Sequence, residues 1–236
     1  MRQALTKRLF GPWLFDVGAH GYDFLTQQQH WLEASRRMLE HVSHEPTRLL
    51  DVGCGPGVST FALAERLGPS VEVLGVDLSA RMIGRAKKRL AALGPSMAHV
   101  RFQIGDAARL DLPDAHFDLI TGHSFLYLVH DRSAVLRELR RVMRPGGTLV
   151  LMEPARETSL AQAAMRALPH RGELLRRPKD TGYFLTSMVT WRMFSGVKGR
   201  LDPATVHTLF RDAGFEDIGC YRTLAGLGWH CVARAR

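Results

Sequence analysis

Between residues 24 and 154, hydrophobic positions alternate between short apolar runs and longer stretches with helical spacing. The short runs predict buried strands, and the longer stretches predict amphipathic helices that each lay an apolar face on a sheet. The predicted strands are 47–52, 71–76, 99–104, 117–122 and 148–152, and the predicted helices are 24–43, 58–67, 80–93 and 131–143. This alternation indicates an α/β fold, with a mostly parallel sheet covered by helices on both faces.

The pattern breaks down after residue 154 and returns near the end of the chain. Asp202 and Pro203 predict the start of a further helix that ends at Gly214, since an N-cap aspartate followed by proline is a common helix start. Two strands follow, 215–222 and 229–235, close enough in sequence to pair antiparallel. We therefore divide a single domain into an N-terminal arm and helix (1–45), a sheet core (46–154), an inserted cap over the mouth of the sheet (155–200), and a C-terminal helix and hairpin (201–236).

The composition is that of a soluble globular protein. Of 236 residues, 45% are hydrophobic and 23% are charged, and no apolar run approaches the roughly 18–20 residues of a membrane span. The three cysteines, Cys54, Cys220 and Cys231, form no CxxC pair. That count argues against a disulfide framework and a structural zinc site, and it favours a reducing, cytoplasmic location.

Charge adds one further expectation about partners. Lys and Arg number 32 against 23 Asp and Glu, so the formal net charge is +9. Nine basic and three acidic residues lie between 155 and 200, so 9 − 3 = +6 of the excess is there. Such a stretch suits an anionic acceptor or a peripheral membrane contact, and it equally suits a solvated face. Basic motifs interleaved with aromatic residues are absent, which argues against a nucleic-acid partner.

The glycine-rich sequence DVGCGPG at 51–57 follows the first predicted strand and opens the next helix. Glycines at this point let the backbone turn sharply and let a ligand approach the helix N-terminus. The spacing is GxGxG rather than the GxGxxG of dinucleotide sites, and no Lys-Ser/Thr follows as in a P-loop. A carboxylate at Asp51 would repel a pyrophosphate and suit a cofactor with a cationic amino-acid part.

Two further acids follow the next two strands. Asp77, at the end of strand two, can accept hydrogen bonds from both hydroxyls of a ribose. Asp106, after strand three, can accept one from an adenine amino group. Because the carboxyl ends of parallel strands line one crevice, Asp51, Asp77 and Asp106 predict a single cofactor site in the core 46–154.

Five segments between Arg48 and Glu153 carry a family resemblance: DVGCGPG at 51–57, GVDLSARMI at 75–83, GDA at 105–107, FDLITGHSFLYLVHD at 117–131 and LRRVMRPGGTLVLMEP at 139–154. Together they resemble the class I S-adenosylmethionine (SAM)-dependent methyltransferases, most closely the ubiquinone/menaquinone-biosynthesis (methyltransferase type 11) group. The resemblance implies a Rossmann-like, seven-stranded, mostly parallel sheet whose last strand is antiparallel. Because the loops after strands one to three are committed to the cofactor, we expect the arm 1–23 and the insertion 155–200 after strand five to form the acceptor site and its lid.

The resemblance implies a role for each matched residue. The methionine part of SAM would lie along Gly53, Cys54 and Gly55, with Asp51 near its amino group. Asp77 would hold the ribose, and the adenine would meet Leu78, Met82, Asp106 and Ala107. His123 would lie near the sulfonium, and Tyr22 of the arm would complete the cofactor site.

Methyl transfer is an in-line displacement, so alignment of the reactants supplies much of the rate. A general base is needed only when the nucleophile carries a proton that must leave. The candidate catalytic residues are His20, His123, Tyr127 and His130, the histidines because their pKa lies near neutrality. Each of the four is also compatible with a purely structural position. The residues outside the cofactor motifs show no acidic cluster, so we expect no metal.

Three functions remain open. The first is C- or O-methylation of a small apolar or anionic acceptor, such as a quinone-like or natural-product intermediate. The stretch after strand four reads HSFLY, at 123–127, and lacks the Asn/Asp-Pro-Pro-aromatic motif of base and glutamine N-methyltransferases. The second is N-methylation of a phospholipid at a membrane surface, which the basic insertion and the arm favour. The third is a cofactor- or RNA-binding protein that keeps the fold without the reaction.

Overall fold

The structure, a computed structural model, describes residues 29–159 and 199–236. Between these two ranges it describes only residues 162, 163, 165, 182, 186, 188, 189, 191, 192, 195 and 196. His20 and Tyr22, together with the arm and most of the insertion, lie outside the described residues. The division of the domain into arm, core, cap and hairpin therefore stays a prediction.

Seven strands form one mixed sheet: β1 Arg48–Val52, β2 Glu72–Asp77, β3 Val100–Ile104, β4 Phe117–His123, β5 Met143–Pro154, β6 Phe215–Thr223 and β7 Gly228–Ala235. Their order along the sheet is β3-β2-β1-β4-β5-β7-β6. The first five pair in parallel, whereas β7 runs antiparallel between β5 and β6. The expected Rossmann-like sheet with an antiparallel last strand is confirmed.

Five helices surround the described part of the sheet: α1 Gln29–Arg36, α2 Val58–Leu67, α3 Ala80–Leu93, α4 Arg132–Val142 and α5 Pro203–Asp212. Side-chain caps start three of them. Ser79 accepts from the Met82 N–H, and the N-cap aspartates of α4 and α5 accept from N–H groups three residues on. These caps satisfy donors that the first turn leaves unpaired, and they explain why the helix starts were readable in the sequence.

The sheet separates two apolar clusters, one on each face. On one face Leu50 packs with Leu136 of α4 and Phe210 of α5. On the other, Leu49 packs in a cluster with Trp31 of α1, and α2 and α3 also contribute. Because successive strand residues point to opposite faces, both clusters draw on the same strands. The helices thus cover both faces and leave the carboxyl ends of β1 to β4 as the place for a ligand.

Two element boundaries differ from the sequence expectation. The helix predicted over 24–43 ends at Arg36 in α1, and a 3₁₀ segment, Arg37–His41, continues it. Strand β5 begins at Met143 rather than near residue 148, because Met143 already pairs with Phe117 directly after α4. In the described part of the chain, no helix combines the length and the apolar character needed to cross a bilayer.

Candidate cofactor and acceptor site

The glycine turn, Gly53–Gly57, connects the end of β1 to α2 at the centre of the parallel strands. Gly53, Gly55 and Gly57 have φ of 66°, 53° and 82°, values that favour glycine because a Cβ is crowded there. The Cys54 N–H donates to the carbonyl of Val76 at 3.1 Å, which ties the turn to strand β2. The backbone at the start of α2 is therefore held in a tight turn, with Phe125 packed on Gly53 and Phe102 packed on Gly57.

Asp51 lies beneath this turn and is fully buried. Its two carboxylate oxygens accept hydrogen bonds from Thr60 Oγ1 at 2.6 Å and Thr121 Oγ1 at 2.9 Å. Burial raises the pKa of Asp51, and the two hydroxyls oppose that rise. The observed contacts make Asp51 a brace between β1, α2 and β4, and its expected contact with the amino group of a cofactor stays a prediction.

Asp77 ends β2 beside the turn. Its carboxylate accepts from the backbone N–H of Gly55 at 2.9 Å and of Ser79 at 2.8 Å. Burial raises the pKa of this carboxyl, and the two N–H donors lower it. The contact with Gly55 shows that the second predicted acid lies against the glycine turn, as one crevice requires. Because Asp77 is only half-buried, it can also accept from a ligand.

The residues expected around an adenine lie next along the crevice. Leu78 is 70% exposed and Ile104, at the end of β3, is 57% exposed, whereas Met82 is buried. Asp106 is exposed and its Oδ1 accepts from the Ala108 N–H at 2.9 Å. Exposed apolar side chains at two neighbouring strand ends offer a surface on which a planar ring can stack.

His123 ends β4 on the other side of the glycine turn and is buried. Its ring lies edge-on to Trp31 of α1, with 5.7 Å between ring centroids, and Trp31 meets Trp191 in the same way at 5.3 Å. Burial lowers the pKa of His123 to about 4. Trp191 Nε1 donates to Ser124 Oγ at 3.1 Å. The N-terminal helix and the insertion thus meet over the end of β4.

Tyr127 lies in the loop that follows, residues 124–127, which we call the β4 loop. Its side chain is buried, and burial together with the charge of Glu153 raises its pKa. His130 is exposed beyond the loop. Of the four candidate catalytic residues, His123 and Tyr127 are thus both buried at or just after the end of β4, whereas His130 is exposed.

Sequence reasoning missed Glu153, which lies at the end of β5 and is fully buried. Its carboxylate accepts three backbone N–H bonds from the β4 loop, at 2.9–3.2 Å. Burial raises the pKa of Glu153 to about 7, against the lowering effect of those bonds. The available signal was a single acid directly after a continuously apolar run, Leu149–Met152, in a strand of the predicted sheet.

A family model described as a methyltransferase domain matches residues 43–214, well over half of the chain. The chain belongs to this family, the SAM-dependent methyltransferases. The demethylmenaquinone methyltransferase of Staphylococcus aureus (strain JH9) is 34% identical over 164 residues, which cover 67% of this chain and 66% of that protein. The match thus spans just under two thirds of that relative, and it confirms the expected likeness to the menaquinone-biosynthesis group.

Two solved structures share the fold of this methyltransferase chain. One is the methyltransferase in a complex with the Trm112 methyltransferase activator of Haloferax volcanii, with a TM-score of 0.66 at 19% identity over 94% of this chain and 97% of that one. The other is a SAM-dependent methyltransferase from Aquifex aeolicus, with a TM-score of 0.61 at 18% identity over 86% and 93%. At such identities the likeness shows the fold alone.

The described residues of this methyltransferase fit SAM. The glycine turn lies at the N-terminal end of α2, Asp77 supplies an anion beside that turn, and Leu78 and Ile104 supply an exposed apolar surface. Among the residues that the structure describes, no group of three or more His, Cys, Asp or Glu is placed to hold a metal ion.

Proposed function

We propose that the protein transfers the methyl group of SAM to a carbon or oxygen nucleophile of a small, quinone-like acceptor. The observation that carries the proposal is the 34% identity with a demethylmenaquinone methyltransferase.

We further propose how the cofactor is held. Asp77 accepts from the ribose, Leu78 packs on the adenine, and the glycine turn lies along the methionine part, with Asp106 and Ala107 at the adenine edge. SAM supplies an electrophilic methyl group on a sulfonium. The chain contributes the alignment of acceptor and methyl group and the exclusion of water from their meeting point.

The acceptor reacts in its reduced form. A quinone ring is electron-poor, whereas the hydroquinone donates electron density to its ring and its oxygens, and more so when a hydroxyl loses its proton. His123 is neutral at pH 7, but its lowered pKa of about 4 makes it a weak base, so deprotonation of the hydroquinone is not assigned to it. Tyr127, whose pKa is raised, keeps its proton and is suited to donate a hydrogen bond to an acceptor oxygen.

The test is an acceptor panel with methyl-deuterated SAM and product detection by mass spectrometry. The panel holds a short-chain demethylmenaquinone, with and without a chemical reductant, and vesicles that contain phosphatidylethanolamine. We expect the label on the quinone compound under reducing conditions only. Label on the vesicle lipid would instead indicate a phospholipid N-methyltransferase. SAM binding without any labelled product from a wider panel would favour a cofactor-binding protein that does not catalyse methyl transfer. The comparisons favour neither alternative.

A further inference from the structure

We propose that Glu153 is a positioning residue for this site: its carboxylate holds the β4 loop and, through Phe125, the glycine turn. The proposal rests on the function proposed above, since it concerns the same cofactor and acceptor site. Glu153 is not offered as a catalytic residue, because its hydrogen bonds go to the protein backbone.

Three successive backbone donors converge on this one carboxylate. Glu153 Oε1 accepts from the N–H of Phe125 at 3.2 Å and of Leu126 at 2.9 Å, and Oε2 accepts from the N–H of Tyr127 at 3.2 Å. A fully buried carboxylate is costly unless hydrogen bonds compensate its lost hydration. Here the compensating donors all belong to the β4 loop, so the conformation of the loop and the charge of Glu153 depend on each other.

The carbonyl side of the same loop is held by a cation. Arg132 Nε donates to the Leu126 carbonyl at 3.2 Å, and its Nη2 donates to the Gly199 carbonyl at 2.9 Å. The guanidinium also favours the ionised form of Glu153. Glu153 therefore accepts from the N–H groups of the loop while Arg132 donates to the Leu126 and Tyr127 carbonyls, which restrains the peptide planes between them.

Phe125 carries the effect from the loop to the cofactor side. A Cβ added at Gly53 would lie 2.6 Å from Phe125 Cβ, and one at Gly122 would lie 2.7 Å from Phe125 Cε1. Phe125 thus packs directly on the backbone of the glycine turn and of β4. Ser124, with φ of 55°, donates its N–H to the Met152 carbonyl at 2.7 Å, which holds the first residue of the loop against β5. Packing this close leaves the loop little room to shift without moving the turn.

The ionised and protonated forms of Glu153 differ in what they can hold. Among the residues that the structure describes, the titratable or charged groups that interact with it are Arg132, Tyr127 and Cys231. A proton on one carboxylate oxygen weakens that oxygen as an acceptor, so at least one N–H of the loop loses its bond. We therefore expect an ordered loop above the titration midpoint of Glu153 and a looser one below it. Because burial raises the pKa to about 7, the change falls near neutrality.

The first experiment follows the amide protons of Phe125–Tyr127 by NMR as the pH is varied, without any ligand. We expect all three signals to shift with one common midpoint. Glu153→Gln should abolish that transition, since the amide has no charge to lose. Glu138→Gln is the matched control. Glu138 lies on α4, away from the loop, and also accepts a backbone N–H, that of Leu110 at 2.6 Å, so its variant should keep the transition. Arg132→Gln should move the midpoint to higher pH, since it removes the cation that favours the carboxylate.

The second experiment measures the Kd of S-adenosylhomocysteine by calorimetry across the same pH range. The wild type should bind about fivefold more weakly below the midpoint, the scale of one lost hydrogen bond. Glu153→Gln should bind at the weaker level at every pH, because its NH₂ group cannot accept from the Tyr127 N–H. Reciprocally, saturating ligand should lower the midpoint seen at the loop amides.

Loop amides that do not titrate, or that titrate identically in Glu153→Gln, would overturn the proposal. Amides that titrate while the wild-type Kd stays constant with pH would also overturn it, since the loop would then be irrelevant to the site. Failure of the wild type to bind S-adenosylhomocysteine at any pH would instead refute the proposed function. If Glu153→Gln does not fold, the wild-type and Arg132→Gln titrations decide, and an unmoved midpoint in Arg132→Gln rejects Glu153 as the titrating group.

Discussion

Replacement of Asp77 by Asn tests whether the acid at the end of β2 holds the cofactor. The carboxylate accepts the N–H groups of Gly55 and Ser79 at 2.9 and 2.8 Å. Asparagine keeps the size of the side chain, but only one of its two terminal atoms can accept. The substitution therefore removes both the charge that would bind ribose hydroxyls and one of the two backbone bonds that hold the glycine turn.

The magnitude follows from the bonds that change. Hydrogen bonds to a charged group contribute about 1.5–3 kcal/mol, so the Kd of S-adenosylhomocysteine should rise roughly 10- to 150-fold in Asp77→Asn. One unsatisfied N–H should lower the free energy of unfolding by about 1–3 kcal/mol, with the lower end expected because Asp77 is only half-buried and water can reach it.

Asp118→Asn is the matched control for this measurement. Asp118 lies near the start of β4, at the end of the strand away from the crevice, and also accepts two neighbouring backbone N–H groups, those of Thr47 and Arg48 at 3.0–3.1 Å. Its carboxylate further accepts from the Thr47 hydroxyl at 2.6 Å and lies 3.5 Å from Arg144, so its substitution should cost at least as much stability as that of Asp77. Calorimetry and urea denaturation on both variants separate the two effects, and we expect a loss of stability in both with a loss of affinity only in Asp77→Asn. Equal affinities in Asp77→Asn and the wild type would refute the reasoning and leave Asp77 as a turn residue.

Two further predictions concern the turn and the edge of the sheet. At Gly53, φ is 66° and Phe125 Cβ would lie 2.6 Å from a new methyl group. Gly53→Ala should therefore lower the free energy of unfolding by more than backbone strain alone would, which is about 1–2 kcal/mol. Gly146→Ala, at φ 78° with no atom within 4 Å of the new methyl group, is a positive-φ substitution without a clash for the same denaturation assay; equal losses of unfolding free energy would contradict the predicted clash. Cys220 and Cys231 face each other across β6 and β7, and the Cys231 thiol donates a hydrogen bond to Cys220. Diamide should therefore oxidise the two thiols to a disulfide, which mass spectrometry would detect as a loss of two hydrogens and of two alkylatable thiols. If both thiols can still be fully alkylated afterwards, this prediction is wrong.

Much of the fold followed from local signals. The strand and helix boundaries of the core depend on apolar runs, on capping residues such as Ser79 and on glycine or proline stops, all of which act within a few residues of chain. The position of Asp77 at the end of a strand was also local information. For parallel strands, that position alone places the carboxylate at the crevice, and its contact with Gly55 agrees.

The contacts of the buried site residues could not be inferred from local sequence signals. Asp51 is held by Thr121, 70 positions away, and by Thr60 on the helix beyond the turn, so its role as a brace depends on strand order. Likewise, Trp31 reaches His123 only because α1 folds back over the end of β4. Sequence motifs mark which residues share a crevice, but they do not show which of them the protein itself already uses as hydrogen-bond partners.

Glu153 shows most clearly the difference between what the sequence determines and what only the tertiary structure determines. The sequence by itself determined the parallel sheet and the glycine turn, because short-range periodicity and backbone constraints encode them, and its motifs indicated the family by resemblance. Only the tertiary structure decided that β5 lies beside β4, and that the β4 loop turns its three N–H groups toward a carboxylate that follows 26 to 28 residues later. The burial that raises the pKa of that carboxylate is a property of the packed sheet and loop together, since no local stretch of chain can exclude water from it.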